Sequence, residues 1–397
     1  AMPADERTRW DALRAEMRKW EPQKPVAPPS ALGITDVGRV APRVYLLSGG
    51  AYEQPLDEVQ PGFLSAIDPR TPVIRPPDGL PSTGRRTELA RWIASPGNPL
   101  TARVLVNRVW QGHFGRGIVP TASDLGKAGE APTHPELLDW LASAFVAPAG
   151  DPHGCGWSLK ALHRLILTSA AYRQSSAFNP ASAAKDPDNQ SLWRYRRWRL
   201  EGEALRDACL SASGELNPKM GGPSIFPELP EGVGTRGGWT ITADAAERNR
   251  RSVYVFVRRN LRYPLFEAFD FPDTHEPCAR RSVSNTAPQA LMLFNSELAL
   301  KPAQAMAGRL LQEAATPEAR IDRAYHLAFG RAPEGSEREL SLGFLRSQGE
   351  LIRGRLAKGE PVARPAGAAE TLDAAEGAAL VDFCHALMNA NEFLYVD

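Results

Sequence analysis

Apolar residues recur at three- and four-residue steps along much of this chain, and that spacing predicts helices. Trp10, Leu13, Met17 and Trp20 place one helix over residues 6–20. Asn98-Pro99 reads as a cap followed by proline at the first helical position, opening a helix that carries Leu100, Val104, Val106 and Trp110. Thr133-His134-Pro135-Glu136 has the order of a capping box, ahead of Leu137, Leu138, Leu141 and Phe145 on an inward face. Leu159, Leu162, Ile166 and Ala170 predict a helix over 157–172, and a further helix over 200–213 is closed by Gly214. Helices are also expected over 288–313, 317–329, 335–357 and 374–391.

Strand signals are few. Val44 to Leu47 is a short candidate, and Ser252 to Val257 is the best strand candidate in the chain. Residues 21–84 are rich in proline and glycine, as in Pro25-Val26-Ala27-Pro28-Pro29, which favours an extended connector over a packed core. Residues 217–249 read as a long surface excursion, and 359–369 as a flexible loop. The expected architecture is therefore mainly α, a multi-helix domain with minor β and long Pro/Gly-rich loops. The expected division is an N-terminal helix and connector over 1–84 and a helical domain over 85–397, with a candidate sub-boundary near 217–250.

Bulk composition narrows the function classes. The 397 residues carry 47 Lys+Arg against 46 Asp+Glu, a net charge of +1, which disfavours a protein built to coat nucleic acid. Cys155, Cys209, Cys278 and Cys384 are scattered, with no CxxC or CxxCH, so neither a zinc knuckle nor a covalent c-type haem is encoded in the chain; their even number leaves disulfides open. No apolar run approaches the ~18 residues of a membrane span.

The candidate chemistry falls into four places. In Asn107 to Gly117, polar and aromatic residues alternate where a helix ends in glycines, and Arg108, Trp110 and His113 stand out as ligand-binding candidates. Asp124, His134 and Asp139 follow, and His163 lies mid-helix; carboxylates beside histidines can bind a metal or run acid–base chemistry, so these four are the catalytic candidates. The blander alternatives are that His134 supports a helix cap and that His163 is a satisfied core histidine. Trp193-Arg194-Tyr195-Arg196-Arg197-Trp198-Arg199 is the sharpest local signal: guanidinium groups bind sulfate, phosphate or carboxylate, and aromatic faces pack against sugar rings. Trp193, Arg194, Arg196, Arg197, Trp198 and Arg251, with Arg248, Arg250, Arg258 and Arg259 in support, could line a polyanion groove; alternatively the arginines pair with helix carboxylates. Glu203 and Arg206 have the spacing of an ordinary surface pair. Cys278 beside Arg280 and Arg281 could be an activated thiol if exposed, against a buried or disulfide-bonded alternative. No serine elbow, P-loop, dinucleotide fingerprint or HExxH occurs.

These segments carry a resemblance to a family. Asn98-Pro99-Leu100-Thr101-Ala102-Arg103, Asn107-Arg108-Val109-Trp110-Gln111, His113-Phe114-Gly115 and His134-Pro135-Glu136-Leu137-Leu138-Asp139-Trp140-Leu141 occur in order. Leu162-His163-Arg164-Leu165-Ile166, Arg206-Asp207-Ala208, Gly221-Gly222-Pro223, Arg251-Ser252-Val253-Tyr254, Ala287-Pro288-Gln289-Ala290-Leu291 and Asn391-Glu392-Phe393-Leu394 continue it. Over 85–397 the chain resembles the planctomycete-type PSD domain family of unknown function (DUF1553). The resemblance implies the C-terminal part of a multidomain protein at the periplasm, cell surface or exterior, joined by residues 6–84 to an upstream planctomycete-type domain. It implies that any haem c sits on an upstream domain and that this chain itself holds no cofactor. Polysaccharide, or a sulfatase-like protein, is the implied partner, and nucleic acid is not. The reading it supports is an extracytoplasmic binding or scaffold module linked to polysaccharide, sulfated glycans included. The alternative is a carbohydrate-active enzyme, redox-linked through an upstream cytochrome. The family supplies no catalytic residues to carry over.

Overall fold

The helical periodicity is realised as fifteen α-helices and four short strands among the described residues, 3–21, 31–230 and 239–396 of a computed structural model. The protein is mainly α with minor β. Its chain divides into two compact units, 1–101 and 102–397.

In the first unit, α1 (Ala4–Trp20) has the predicted apolar stripe, but Trp10, Leu13, Met17 and Trp20 are all exposed. The expected strand β1 (Val44–Leu47) pairs antiparallel with an unexpected β2 (Pro55–Val59), Val44 opposite Val59 and Leu47 opposite Pro55. Side-chain carboxylates organise the loops that follow. Asp36 accepts from the Ser82 hydroxyl at 2.8 Å and the Thr83 amide at 2.7 Å, and pairs with Arg86. Asp68 takes Arg70 and the Trp92 indole of α2 (Arg85–Ile93), whose ring stacks on Phe63 at 4.7 Å. These bonds satisfy backbone that composition alone assigned to a connector. The Pro25–Pro29 stretch lies outside the described residues.

The second unit opens with α3 (Thr101–Phe114), whose start is capped by Asn98 accepting from the Leu100 amide at 3.0 Å. It packs with α4 (Pro135–Val146) and α5 (Leu159–Leu167) around Val106, Phe114, Leu141, Phe145, Leu162 and Ile166. The expected capping box at α4 does not form: Thr133 donates its hydroxyl to the Ile118 carbonyl, and His134 is the cap residue, its side chain capping no helix amide. Helix α5 is shorter than its periodicity suggests. It starts at the Ser158 cap, ends at Leu167, and leaves Leu159 and Ala170 exposed. A short α6 (Pro180–Lys185) follows, and then β3 (Trp198–Arg199).

The main core lies between α7 (Gly202–Ser213), α11 (Glu297–Glu313), α12 (Pro317–Phe329) and α14 (Ala374–Met388), where Leu205, Met306, Leu310, Ile321 and Val381 are buried. Burying such side chains contributes roughly 1.5–3 kcal/mol each. Minor helices α8 (Ala245–Arg248), α9 (Pro264–Ala268) and α10 (Ala287–Asn295) bring loops onto this core. Helix α13 (Gly335–Ala357) packs on α14, and α15 (Asn391–Leu394) leads into β4 (Tyr395–Val396), which pairs antiparallel with β3.

Three sequence expectations are corrected here. Ser252 to Val257 is not a strand: Ser252–Tyr254 is a turn of 3-10 helix, and only Val255 bridges a neighbour, Ile225. The 217–249 stretch is not wholly superficial, because Ile225 and Trp239 enter the main core; residues 231–238 within it lie outside the described part. The single helix expected over 288–313 breaks at Ser296 into α10 and α11.

Candidate functional site: an arginine-lined cleft

Helical periodicity divides α3 between two tasks. Val106, Trp110 and Phe114 face the core, whereas Arg108, Gln111, Gly112 and Gly115 recur on the opposite side and line a cleft of about 990 Å³. That volume lies at the upper end of ordinary ligand sites. The helix stops at Gly115, which adopts φ 71°. A Cβ there would lie 2.9 Å from two atoms of the Trp198 ring, so the indole lies directly against glycine backbone and presents a fixed aromatic surface.

The Tyr195–Arg199 part of the Trp193–Arg199 run forms the second wall. Tyr195 and Arg199 point inward, Arg196 and Arg197 are exposed, and Trp198 is half-buried. The Tyr195 hydroxyl donates to the His113 carbonyl at 2.8 Å, tying this wall to the end of α3. Burial, with the Tyr172 hydroxyl beside it, pushes Tyr195 up to about 12, so it serves as a neutral donor. Arg199 is buried, with Nη1 donating to the Ser284 carbonyl at 2.8 Å and Nη2 bonded to Asp270 at 2.7 Å.

The third wall is the 278–285 loop. Gln111 donates through Nε2 to the Ala279 carbonyl at 2.9 Å, and Arg281 grips Glu203 through two bonds of 2.8 and 2.9 Å. Asp270 secures the loop by accepting from the Ser284 amide and hydroxyl. Burial raises the Asp270 carboxyl, but the Ser284 bonds and the Arg199 guanidinium outweigh it and hold the group below its ordinary value. Cys278, the exposed member of four free cysteines, also lines the cleft, so it is neither buried nor disulfide-bonded.

Six arginines (108, 196, 197, 199, 280, 281) line the cleft against one carboxylate, Glu201. Arg199 and Arg281 are neutralised by their partners. Arg108, Arg196 and Arg280 are exposed and form no ion pair with a described residue. The near-zero net charge of the chain therefore conceals a locally cationic surface.

The sequence profile of the PSD1 family, proteins of unknown function (DUF1553), matches residues 85–345. The chain belongs to the PSD1 family. No curated protein and no solved structure matches it significantly. Most of the cleft of this PSD1 protein falls inside the matched region, with Tyr395 and Val396 of β4 beyond it.

The remaining candidates are dispersed. Among the expected ligand-binding residues, Arg108, His113, Arg196, Arg197 and Trp198 line the cleft. Trp110 is buried and stacks on Phe114 at 4.1 Å. Trp193 donates to the Asp186 carbonyl, and Arg194 lies over the Trp193 and Phe178 rings, outside the cleft. Arg251 stands 4.0 Å from Asp207. Arg250 is wholly buried, donating to the carbonyls of Lys219, Gly221 and Pro223. Arg206, expected on the surface with Glu203, is buried and donates to the carbonyls of Arg248 and Arg250.

Asp124 accepts from the Gly126 amide within a turn, and Asp139 is held below its ordinary value by Arg103 at 2.7 Å. His134 contacts the Thr133 hydroxyl and lines a separate hollow of about 40 Å³ with Arg116 and Arg196. Each thus has its own partners, and no group of three His, Cys, Asp or Glu among the described residues could hold a metal ion. His163, a catalytic candidate with a core histidine as the alternative, is exposed and hydrogen-bonds His113: the two ring nitrogens lie 2.7 Å apart. Tyr172 meets the His113 ring edge-on at 5.6 Å and lines the cleft as well. Gln111, Tyr172, Arg280 and Arg281 were absent from the binding and catalytic candidates, though Arg280 and Arg281 stood out beside Cys278.

Proposed function

We propose that this PSD1 protein is an extracytoplasmic binding module that holds an anionic polysaccharide, sulfated glycans included, in the cleft between α3, Trp198 and the 278–285 loop. One observation carries the proposal: Arg108, Arg196 and Arg280, which form no ion pair with a described residue, line the same cleft as the half-buried Trp198 indole. Guanidinium groups recognise carboxylate and sulfate ester, and the indole face suits a pyranose ring. In this reading the module belongs to a multidomain planctomycete-type protein, and an upstream domain brings any redox cofactor. The cleft serves to retain the polymer beside that domain or a partner sulfatase.

A thermal-shift series against dextran sulfate, hyaluronan and neutral dextran, at low and high salt, tests the reading. A ligand that binds only the folded state raises the melting temperature. The expected result is a rise with the charged polymers alone, diminished by salt. The R196E, R280E double variant should bind more weakly by about 1–2 kcal/mol, from roughly 0.5–1 kcal/mol per exposed charge pair. Equal shifts with neutral dextran, or none with any polymer, would reject it. The second reading, a carbohydrate-active enzyme, is favoured by His113, which lines the cleft and hydrogen-bonds His163.

A further inference from the structure

We infer that the cleft cleaves uronate-containing polysaccharides by β-elimination, with His113 as the base, Tyr172 as the acid and the cleft arginines neutralising the uronate carboxylate. The inference rests on the proposed binding of an anionic glycan at this same site. Elimination is the polysaccharide-cleaving chemistry that needs only what these walls offer. It requires a cation at a carboxylate, a base for the carbon-bound proton α to it, and an acid for the departing glycosidic oxygen. Neither metal, water nor redox partner enters the balance. The Cα–H bond and the Cβ–O glycosidic bond break, and a carbon–carbon double bond conjugated with the carboxylate forms. One proton leaves the sugar to the imidazole, and another passes from the phenol to the leaving oxygen.

The residues fit these roles individually. When His113 Nε2–H donates to His163 Nδ1, the lone pair of His113 Nδ1 is left as the basic site, and the imidazolium that forms remains hydrogen-bonded to His163. Burial and the neighbouring His163 both lower the pKa of His113, which keeps it neutral and basic near pH 7. Guanidinium groups on a carboxylate stabilise the negative charge that develops as the α-proton leaves, and Arg108, Arg196 and Arg280 are available for that. Tyr172 lies on the same wall as His113, edge to face at 5.6 Å, with both residues lining the cleft. A base and an acid on one wall act on one face of the sugar. The substrate must therefore carry its α-hydrogen and β-glycosidic oxygen on the same face, as glucuronate and mannuronate do. Galacturonate, guluronate and iduronate carry them on opposite faces.

The test incubates the full chain with hyaluronan, polymannuronate and polygalacturonate, and follows the ultraviolet absorbance of the unsaturated uronate product. Binding of each polymer is measured on the same samples. Product is expected from the first two and not the third. H113Q and Y172F should each lower the rate by at least about 100-fold while leaving polymer binding within about twofold, as removal of an acid or base does. His163 is a positioning residue: H163A removes the neighbouring charge that helps to lower His113, so the acidic limb of the rate profile should move to higher pH, and H163N should restore part of the rate; an unmoved limb would remove His163 from the assignment. Binding without unsaturated product would overturn the elimination and leave the binding reading intact; absence of binding would overturn both. Full activity in H113Q, or preference for polygalacturonate, would overturn the assignment of residues and face.

Discussion

His113 Nε2 and His163 Nδ1 lie 2.7 Å apart, joining the end of α3, where His113 lines the arginine-lined cleft, to the middle of α5. One ring nitrogen donates to the other across this contact, and charging both rings would set two cations side by side. Burial first, and then the charge of His163, lowers His113 from its ordinary 6.5.

This relationship sets a pH dependence for stability. A histidine whose native pKa is lowered binds protons more readily in the unfolded chain, so protonation favours unfolding. The melting temperature is expected to be flat above 6.5, and to decline as the pH falls through that value towards the lower native one. In H163Q the decline should be shallower, because only burial still opposes the charge on His113. Thermal melts across this pH range in both proteins check it; identical profiles would show that the pair is not coupled.

Gly115 supports Trp198 in a way that no other residue can. Its φ of 71° and the 2.9 Å approach to the indole together exclude a side chain. G115A should cost about 1–2 kcal/mol from the left-handed backbone alone, with a further loss as the ring is displaced. Urea unfolding measures the first effect. A changed Trp emission and weaker glycan binding would report the second, and unchanged binding would show that Trp198 is not the platform.

Legibility in the sequence followed the range of the interactions. Helices α12 and α13 occur where their periodicity and punctuation put them, since Thr316 caps α12 and Gly330 closes it by local bonds alone. The Trp193–Arg199 run was visible as composition, but its alternation between inward Tyr195 and outward Arg196 depends on distant partners. Gln111 reaches Ala279 across 168 positions, and His113 reaches His163 across 50. No periodicity encodes such pairings. The apparent strand at Ser252–Val257 shows the reverse error. Its β-branched and aromatic composition is real, but the neighbouring chain offers only Ile225 as a bridge, and Arg206 occupies the carbonyls of Arg248 and Arg250 just before it.

Arg250 is the most deeply committed of the arginines that composition assigned to a groove. Its side chain is fully buried, donates to three carbonyls of the 219–223 loop, and lies 3.7 Å from the centroid of the Tyr254 ring. R250M keeps the stem and removes the donors. It should cost about 3 kcal/mol or more, from the carbonyls left unpaired, and should speed amide exchange across 217–225. Glycan affinity should stay unchanged, since Arg250 does not line the cleft. A loss of affinity without loss of stability would contradict this division of roles.

Asp270 places the 278–285 wall, and the physics of its replacement separates charge from geometry. It adopts φ 61°, which Asp and Asn tolerate better than most residues. It accepts from Arg199, from the Ser284 amide and hydroxyl, and from Gln289 at 3.4 Å. Arg199 depends on it strongly, because its Nε is buried without any hydrogen-bond partner and Asp270 is its one ion-pair partner among the described residues. D270A removes the counter-charge and the conformational tolerance together, and should cost about 3–5 kcal/mol, as breaking a buried pair does. D270N keeps the backbone preference and a carbonyl acceptor for Ser284, so it should lose less. The native carboxyl is held below its ordinary 3.8, so the stabilisation is present above that value and is lost as the pH falls through the lower native pKa. Acid unfolding of wild type, D270N and D270A checks the order: both variants should lack that part of the acid transition, and an unaltered transition would mean that Arg199 is balanced by another group.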